Sequence, residues 1–153
     1  MISAWRITKR NHAREAFTGE GARLYGGRWN SPGRPVIYTA ESRALALAEV
    51  LVHLESAAIL SKYVVFHVEM EESCIAHLDA HDLPRNWRAE PGPKRLQMLG
   101  DEWLGAGTSV ALRVPSAIVA GEFNYLLNPL HVDFVKLRMG SFEKFQIDKR
   151  LVR

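Results

Sequence analysis

The chain has 153 residues, the usual size of one domain, and a chain of this length buries about two-thirds of its unfolded surface on folding. Hydrophobic residues make up 47% and charged residues 24%, which excludes a disordered tail, a fibrous repeat and a charge-rich scaffold. The 20 Lys and Arg against 17 Asp and Glu give a net charge of +3. Because these basic residues are spread along the chain, a small anion carrying phosphates suits the charge as well as a nucleic acid does.

Three features predict a protein of the reducing cytoplasm. The longest apolar runs fall far short of the ~18–20 residues that span a bilayer, and the first residues lack the pattern of a signal peptide. Cys74 is the only cysteine, so no internal disulfide can form, and a lone cysteine is most often a small buried hydrophobe. We therefore expect a single domain over residues 1–153, in the cytoplasm and without membrane contact.

Residues 18–35 are rich in glycine and predict a long loop, which in a small domain is usually functional or mobile. Within it, Arg28 carries a guanidinium that can grip a phosphate or carboxylate with two hydrogen bonds; an ordinary surface arginine is the alternative. Arg23 would add a second phosphate contact or be solvated. Trp29 would form a flat apolar wall for a ligand or anchor the core.

Residues 35–39 predict a short strand, and Thr39 or Ser42 is placed to cap a helix over residues 44–55. Tyr38 near the strand end would stack on an aromatic ring or belong to the core. The helix is apolar on nearly every side, so we expect it to be buried.

Glu49 is the only charged residue in positions 44–52. Burial of an ionised carboxylate costs several kcal/mol unless the group is paired or faces a polar cavity. One interpretation is a structural ion pair. The other is a carboxylate that lines a pocket, where it would bind a sugar hydroxyl or stabilise a developing positive charge.

The rest of the chain mixes helix and strand without a regular alternation, which favours an α+β fold. One further helix is predicted at residues 94–104. Further strands are predicted at 63–70, 110–114, 118–120, 134–137 and 142–147. Residues 76–93 and 124–129 are predicted to be irregular or turn-rich because of their prolines and asparagines.

Four residues of this second half are weaker candidates. Ser116 follows Pro115 at a strand end without a nucleophile motif, so it is a turn serine or a hydrogen-bond donor to a ligand. Asn124 is a turn former or part of a pocket. His77 and His81 have the spacing of two zinc ligands on a helix, but no third ligand is evident, and we predict no metal site.

Five short pieces of the sequence, taken in order, resemble the RES domain family, which is named for an Arg, a Glu and a Ser. The pieces are Gly-Gly-Arg-Trp-Asn at 26–30, Val-Ile-Tyr-Thr-Ala at 36–40, Ala-Leu-Ala-Glu-Val-Leu at 46–51, Val-Pro-Ser at 114–116 and Glu-Phe-Asn-Tyr-Leu-Leu-Asn-Pro-Leu-His at 122–131. The three family residues fall on Arg28, Glu49 and Ser116. The resemblance covers about residues 4–147, nearly the whole chain.

The resemblance implies a fold and a function. The fold would be that of ADP-ribosyltransferases of the diphtheria-toxin kind, a mixed β core with flanking helices. The protein would be the toxin of a bacterial toxin–antitoxin pair that destroys cellular NAD+ by hydrolysis or phosphorolysis and stops growth. NAD+ is then a substrate, and no cofactor is required. The partner would be an Xre-type helix-turn-helix antitoxin, which covers the active site and alone contacts DNA.

The resemblance also implies roles for single residues. Arg28 would hold the NAD+ diphosphate, and Tyr38 would stack on or wall the nicotinamide. Glu49 would bind the nicotinamide ribose and stabilise its oxocarbenium-like transition state, as carboxylates do at sugar centres. Ser116 would orient the nicotinamide side, and Asn124 would complete the pocket.

Two other functions stay open. A protein ADP-ribosyltransferase on the same fold breaks the same glycosidic bond, so the motifs do not separate it from an NAD+-degrading enzyme. A basic nucleic-acid-binding module without catalysis agrees with the pI of about 9.2, although the sequence shows no helix-turn-helix. The oligomeric state is not fixed by the sequence, and a homodimer is one alternative.

Overall fold

The computed structural model describes residues 1–54 and 62–151, in which one mixed β-sheet packs against three α-helices. The strands are β1 (Ile2–Lys9), β2 (Ile37–Ala40), β3 (Tyr63–Met70), β4 (Ile75–His77), β5 (Ala111–Pro115), β6 (Phe123–Leu127), β7 (Arg138–Met139) and β8 (Glu143–Lys144). The helices are α1 (Glu20–Tyr25), α2 (Arg43–Leu51) and α3 (Lys94–Ala106). This mixture confirms the predicted α+β class.

The sheet brings distant parts of the chain together in the order β4-β5-β6-β2-β1-β3-β7, with β8 also paired to β3. The strands run antiparallel to their neighbours except for the parallel pair β4 and β5. Strand β2 lies in the middle, where Ala40 is opposite both Trp5 of β1 and Asn124 of β6. The end of β2 therefore lies beside residues from both halves of the chain.

The core lies on both faces of this sheet, because side chains alternate between the two faces along each strand. Ile37 and Leu127 pack on one face, with Ala4, Val68 and Met70. The other face carries the helices. Helix α2 packs through Leu45 and Ala46, and α3 packs through a cluster formed by Trp29, Leu96, Trp103, Leu104, Leu112 and Leu126.

Several predicted elements are confirmed, and the helix predicted over residues 44–55 needs correction in extent. Strands β2, β3 and β5 and helix α3 lie where the periodicity places them. Ser42 caps α2 by accepting a hydrogen bond from the Leu45 N–H at 3.0 Å. The helix ends at Leu51, and Glu55 of the predicted helix lies outside the described residues. The expectation that this helix is buried is only partly confirmed, because Leu45 and Ala46 are its only buried residues.

The predictions for the last third of the chain are mostly wrong. Residues 118–120 form a turn, and residues 124–129 begin as strand β6. Pairing with β2 and β5 on both sides determines that strand, whatever turn propensity its asparagines have. Residues 134–136 belong to a 3-10 helix at Val132–Lys136, Leu137 follows it, and only Glu143–Lys144 of the last predicted strand pairs.

Strands β1, β4 and β7 and helix α1 were not predicted, and β4 overlaps the start of residues 76–93, which were expected to be irregular. Strand β1 pairs with β3 along its whole length, from Ile2 opposite Met70 to Lys9 opposite Tyr63. Helix α1 lies inside the stretch predicted as loop and ends at Gly26, whose φ of 72° is one that side-chain-bearing residues rarely adopt. The remaining part of that stretch, residues 26–34, carries Arg28.

Candidate active site

Helix α2 places Glu49 beneath the start of strand β6. The Ser116 hydroxyl donates a hydrogen bond to Glu49 Oε1 at 3.4 Å, and the Asn124 side chain is close enough to lower the pKa of this carboxyl group. Asn124 is held because its amide donates to the Thr39 carbonyl at 3.2 Å. The structure thus brings three of the predicted site residues together.

Ser116 is 1% exposed, so its hydroxyl is fixed by protein groups. Its oxygen accepts hydrogen bonds from the backbone N–H groups of Ile118 and Val119, both at 3.1 Å. With these two donors on the oxygen, the hydroxyl proton is left for Glu49. Ser116 is therefore both a turn serine and a positioning residue for the carboxylate, and its direct contact with a nicotinamide stays a prediction.

Burial raises the pKa of Glu49 above its ordinary value. Hydrogen bonds from Asn124 and Ser116 and the nearby charges of His53 and Arg28 act in the opposite direction and lower the pKa, but they do not outweigh burial. The carboxylate is therefore partly withdrawn from water, and its negative charge is only partly compensated. A site of this kind favours a ligand that develops positive charge.

Arg28 is held by the segment of residues 84–93. Its Nη1 donates to the carbonyl oxygens of Trp87 at 2.9 Å and Ala89 at 3.0 Å, while Nη2 pairs with Glu90 Oε2 at 2.9 Å. The guanidinium is close enough to Glu49 for its charge to lower the pKa of that carboxyl group. The site thus places a fixed cation near a partly buried carboxylate.

Tyr38 anchors the loop that carries Arg28. Its hydroxyl donates to Asn30 Oδ1 at 2.6 Å and accepts from the Trp29 N–H at 3.1 Å. Asn30 is completely buried, and its amide donates to the carbonyls of Ala22 and Ser31 at 2.9 and 3.1 Å. Gly27 has no room for a Cβ, which would lie 2.6 Å from the Tyr38 oxygen.

Helix α3 holds the same loop from its other side. The Gln97 amide donates to the carbonyls of Gly27 at 3.0 Å and Asn30 at 3.1 Å, and Asp101 Oδ1 accepts from the Ser31 N–H at 3.0 Å. Sequence reasoning missed Asn30, Gln97 and Asp101 as supports of the site. Gln97 and Asp101 lie four residues apart on α3, a spacing that in the sequence looks the same as a solvated helix face.

The Tyr38→Phe variant tests this anchoring role. Removing the hydroxyl leaves the Trp29 N–H and Asn30 Oδ1 without their partner inside the protein, which costs about 1–3 kcal/mol. We expect the free energy of unfolding, measured by urea denaturation, to fall by that amount. An unchanged value would contradict the anchoring role, and Tyr25→Phe is a matched control because that tyrosine is 83% exposed.

Two predicted ligand contacts do not join the group around Glu49. Trp29 is 3% exposed and packs with Leu96 and Trp103, so the structure favours the core-anchor alternative over a ligand wall. Arg23 donates from Nε to Glu20 Oε2 at 2.8 Å and from Nη2 to Oε1 of the same carboxylate. Nε and Nη2 of Arg23 therefore pair with Glu20 in this structure, and a contact of Arg23 with a phosphate stays a prediction.

The two histidines of the predicted pair lie in different elements of the structure. His77 ends β4 and His81 lies in a separate 3-10 turn, Ala80–Asp82, and both are exposed. Within residues 1–54 and 62–151, no three His, Cys, Asp or Glu side chains come close enough to hold a metal ion. Over the same ranges, no helix has the length and apolar character needed to cross a membrane.

A cavity of about 530 Å³ borders the segment that holds Arg28. Trp87 lines it, together with Pro115 and Phe123, which precede Ser116 and Asn124 in the chain. Its charged lining residues are Arg85 and Arg113, and the Arg113 guanidinium lies 3.9 Å from the centre of the Phe123 ring. The cavity beside the candidate site is therefore lined by positive charge, which favours anionic ligands.

Comparison with known proteins adds an independent observation. Residues 3–148 match the RES domain family. The chain is 44% identical to Toxin Res of Yersinia enterocolitica, over 85% of this chain and 86% of that protein. It is 36% identical to the Prs ADP-ribosylating toxin of a Sphingobium species, over 99% and 97% of the two chains.

A third relative is known both by sequence and by structure. The NAD(+) phosphorylase MbcT of Mycobacterium tuberculosis is 29% identical over 60% of this chain and 51% of its own length. In the crystal structure of the M. tuberculosis MbcT–MbcA toxin–antitoxin complex, one chain superposes with a TM-score of 0.77 at 20% identity, covering 95% of this chain and 84% of that one. At this identity the superposition shows a shared fold.

Proposed function

This chain belongs to the RES domain family, and from that premise we propose that it is the toxin of a toxin–antitoxin pair and breaks the nicotinamide–ribose bond of NAD+. The observation that carries the proposal is the Glu49 carboxylate, partly buried, held by Ser116 and Asn124, and close to the Arg28 cation. The MbcT relative is an NAD(+) phosphorylase, which supports the same substrate.

The bond in question joins the ribose C1′ to the nitrogen of a cationic ring. When it breaks, the electron pair leaves with nicotinamide, which becomes neutral, and C1′ carries the positive charge as an oxocarbenium ion. Nicotinamide is therefore a good leaving group without protonation. The protein has to position the dinucleotide and stabilise the charge at C1′.

The site residues divide these tasks between them. Glu49 hydrogen-bonds the ribose and stabilises the oxocarbenium ion, because an ionised carboxylate that is poorly compensated binds a developing cation strongly. Arg28 binds the diphosphate, and Tyr38 walls the nicotinamide. Ser116 and Asn124 keep Glu49 in place. An oxygen of water or phosphate then bonds to C1′ and its proton passes to solvent, which gives ADP-ribose or ADP-ribose-1″-phosphate, in which this carbon carries the number 1″.

A second candidate function is transfer of ADP-ribose to a protein. The Sphingobium relative, the Prs ADP-ribosylating toxin, favours it. Both functions use the same bond cleavage and differ only in the acceptor. NAD+ labelled in its adenylate half separates them, because the label reaches a protein band only in the second case.

The proposed partner is an Xre-type helix-turn-helix antitoxin that covers the site and contacts DNA, and the proposed location is the cytoplasm. The crystal structure of the MbcT relative, which is of a toxin–antitoxin complex, supports such a partner. The oligomeric state stays open between a monomer and a homodimer, and the mass of the chain in solution decides between them.

The proposed function is tested by inducing the chain in bacterial cells without the antitoxin. We expect intracellular NAD+ to fall before growth stops, and both effects to disappear in a Glu49→Gln variant. Glu102→Gln, an exposed change on α3, is the control that keeps both effects. Growth arrest with an undiminished NAD+ pool would contradict NAD+ degradation and favour the protein acceptor.

A further inference from the structure

The two Nη atoms of the Arg28 guanidinium have different partners. Its Nη1 is bound by two backbone carbonyls, those of Trp87 and Ala89. Its Nη2 pairs with the Glu90 carboxylate at 2.9 Å. A carboxylate and a phosphate oxygen bind a guanidinium in the same way. A phosphate that approaches Nη2 therefore meets a site that already holds an anion.

Glu90 is placed to leave this position easily. Its side chain is 83% exposed, whereas that of Arg28 is 20% exposed. Exposed ion pairs contribute little to stability because water solvates the separated charges well. The Glu90 side chain can therefore swing into solvent at small cost, while the two carbonyls keep the guanidinium in place.

The packing of the segment around Arg28 does not depend on the Glu90 charge. Gly92 lies so close that a Cβ on it would come within 2.8 Å of Arg28 Nη1. Arg88, on the same segment, donates to the Ala117 carbonyl at 3.3 Å. Neutralising Glu90 thus leaves the contacts that orient Arg28.

We propose that Glu90 is an internal competitor of the substrate: its carboxylate occupies the part of Arg28 that a phosphate of the ligand uses, and it thereby sets the affinity of the site for phosphorylated ligands. The inference rests on the proposed function, in which Arg28 binds the diphosphate of NAD+. Glu90 takes no part in bond cleavage and acts only through Arg28. It lowers the affinity of the free enzyme for NAD+ and leaves kcat, the rate at which bound NAD+ is cleaved, unchanged.

The test compares Glu90→Gln with the wild type, using inorganic pyrophosphate as a probe in titration calorimetry. The amide keeps the size of the side chain but removes its charge. We expect the pyrophosphate Kd of the variant to be about two- to fivefold lower, the range that corresponds to an exposed ion pair. The KM for NAD+ falls by the same factor, and kcat stays unchanged.

Glu143→Gln is the matched control. It also removes one negative charge and one exposed ion pair, that of Arg43 with Glu143 at 3.0 Å, but lies on β8, away from Arg28. We expect no change in pyrophosphate Kd or in KM. An equal gain in affinity in both variants would mean that net charge alone is responsible and would overturn the proposal.

Three other results would also overturn it: an unchanged Kd in Glu90→Gln, a higher Kd, or a gain that persists in an Arg28→Gln background. A higher Kd would mean that Glu90 orients Arg28 for the ligand. The pyrophosphate titration is independent of catalysis. If the wild type did not cleave NAD+ but Glu90→Gln still bound pyrophosphate more tightly, the proposed function would fail and the competition would stand.

Discussion

The Glu49→Gln variant is expected to lose NAD+ cleavage almost completely. Gln has the shape of Glu and can still accept the Ser116 hydrogen bond, but it lacks the charge that opposes the oxocarbenium ion. Removing one preorganised stabilising group from an active site typically costs about 10²–10³-fold in kcat. We expect a loss of at least this size, measured as nicotinamide release at saturating NAD+.

The stability of the same variant separates a lost function from a lost fold. Because burial raises the pKa of Glu49, its ionised form is disfavoured in the folded state at pH 7 compared with the unfolded state. The neutral Gln removes that unfavourable contribution. We therefore expect the free energy of unfolding of Glu49→Gln to equal or exceed that of the wild type, measured by urea denaturation at pH 7.

The raised pKa also sets the direction of the pH dependence. Only the ionised carboxylate stabilises a cation, and a group with a raised pKa takes up its proton at a higher pH than an ordinary glutamate. Wild-type kcat/KM, which reports the protonation of the free enzyme, should therefore begin to fall on acidification at a pH above the usual range of a glutamate side chain. Full activity of Glu49→Gln would contradict this role. Unfolding of the variant together with its loss of activity would contradict it as well.

The Gly100→Ala variant is expected to be the most destabilising small substitution in the part of the chain described. Gly100 lies where α3 crosses the backbone of the Arg28 loop, and a Cβ on it would lie 1.6 Å from the Trp29 carbonyl oxygen. Both contacting parts are backbone, so the loop and the helix have to separate. Overpacking in a core costs about 1–3 kcal/mol and occasionally more, and we expect the upper end of this range or beyond.

The matched control is Gly105→Ala in the same helix. There the nearest atom to a Cβ is Arg34 Nη1 at 3.1 Å, the end of a flexible side chain that can move away. Replacing an exposed helical glycine by alanine stabilises by up to about 1 kcal/mol. Thermal unfolding should therefore shift down for Gly100→Ala and stay level or shift up for Gly105→Ala. Equal midpoints for the two variants would contradict the close approach of α3 to the loop.

Loss of affinity should accompany the loss of stability in Gly100→Ala. The displaced backbone carries Trp29 and, next to it, Arg28. The guanidinium would then lose its alignment with the carbonyls of residues 87 and 89, and the KM for NAD+ should rise. This result would link the helix–loop contact to ligand binding.

The local sequence pattern predicts the helix that carries Glu49, and it also predicts Glu49 as a candidate site residue. A lone charge among apolar residues at helical spacing is visible in the sequence, and so is the serine that caps the helix. The contact between Glu49 and Ser116 is different, since 67 residues separate them. Strand pairing brings them together, and only the family resemblance linked them beforehand.

The supports of the Arg28 loop were out of reach of the sequence for a similar reason. Gln97 and Asp101 act on backbone groups of the loop, and any polar side chain at those positions looks like part of a solvated helix face. Asn124 shows the opposite failure: its turn propensity was real, but pairing on both sides of β6 overrides it. Local propensity decides structure only where tertiary contacts do not.

The measurement that tests the central claim most directly is the release of nicotinamide from NAD+ by the purified chain, resolved by chromatography with and without phosphate. We expect the wild type to release nicotinamide together with ADP-ribose or, when phosphate is the acceptor, ADP-ribose-1″-phosphate. We expect no comparable release of nicotinamide by Glu49→Gln. An unchanged NAD+ peak, or equal release by the wild type and Glu49→Gln, would contradict an NAD+-cleaving site built around Glu49.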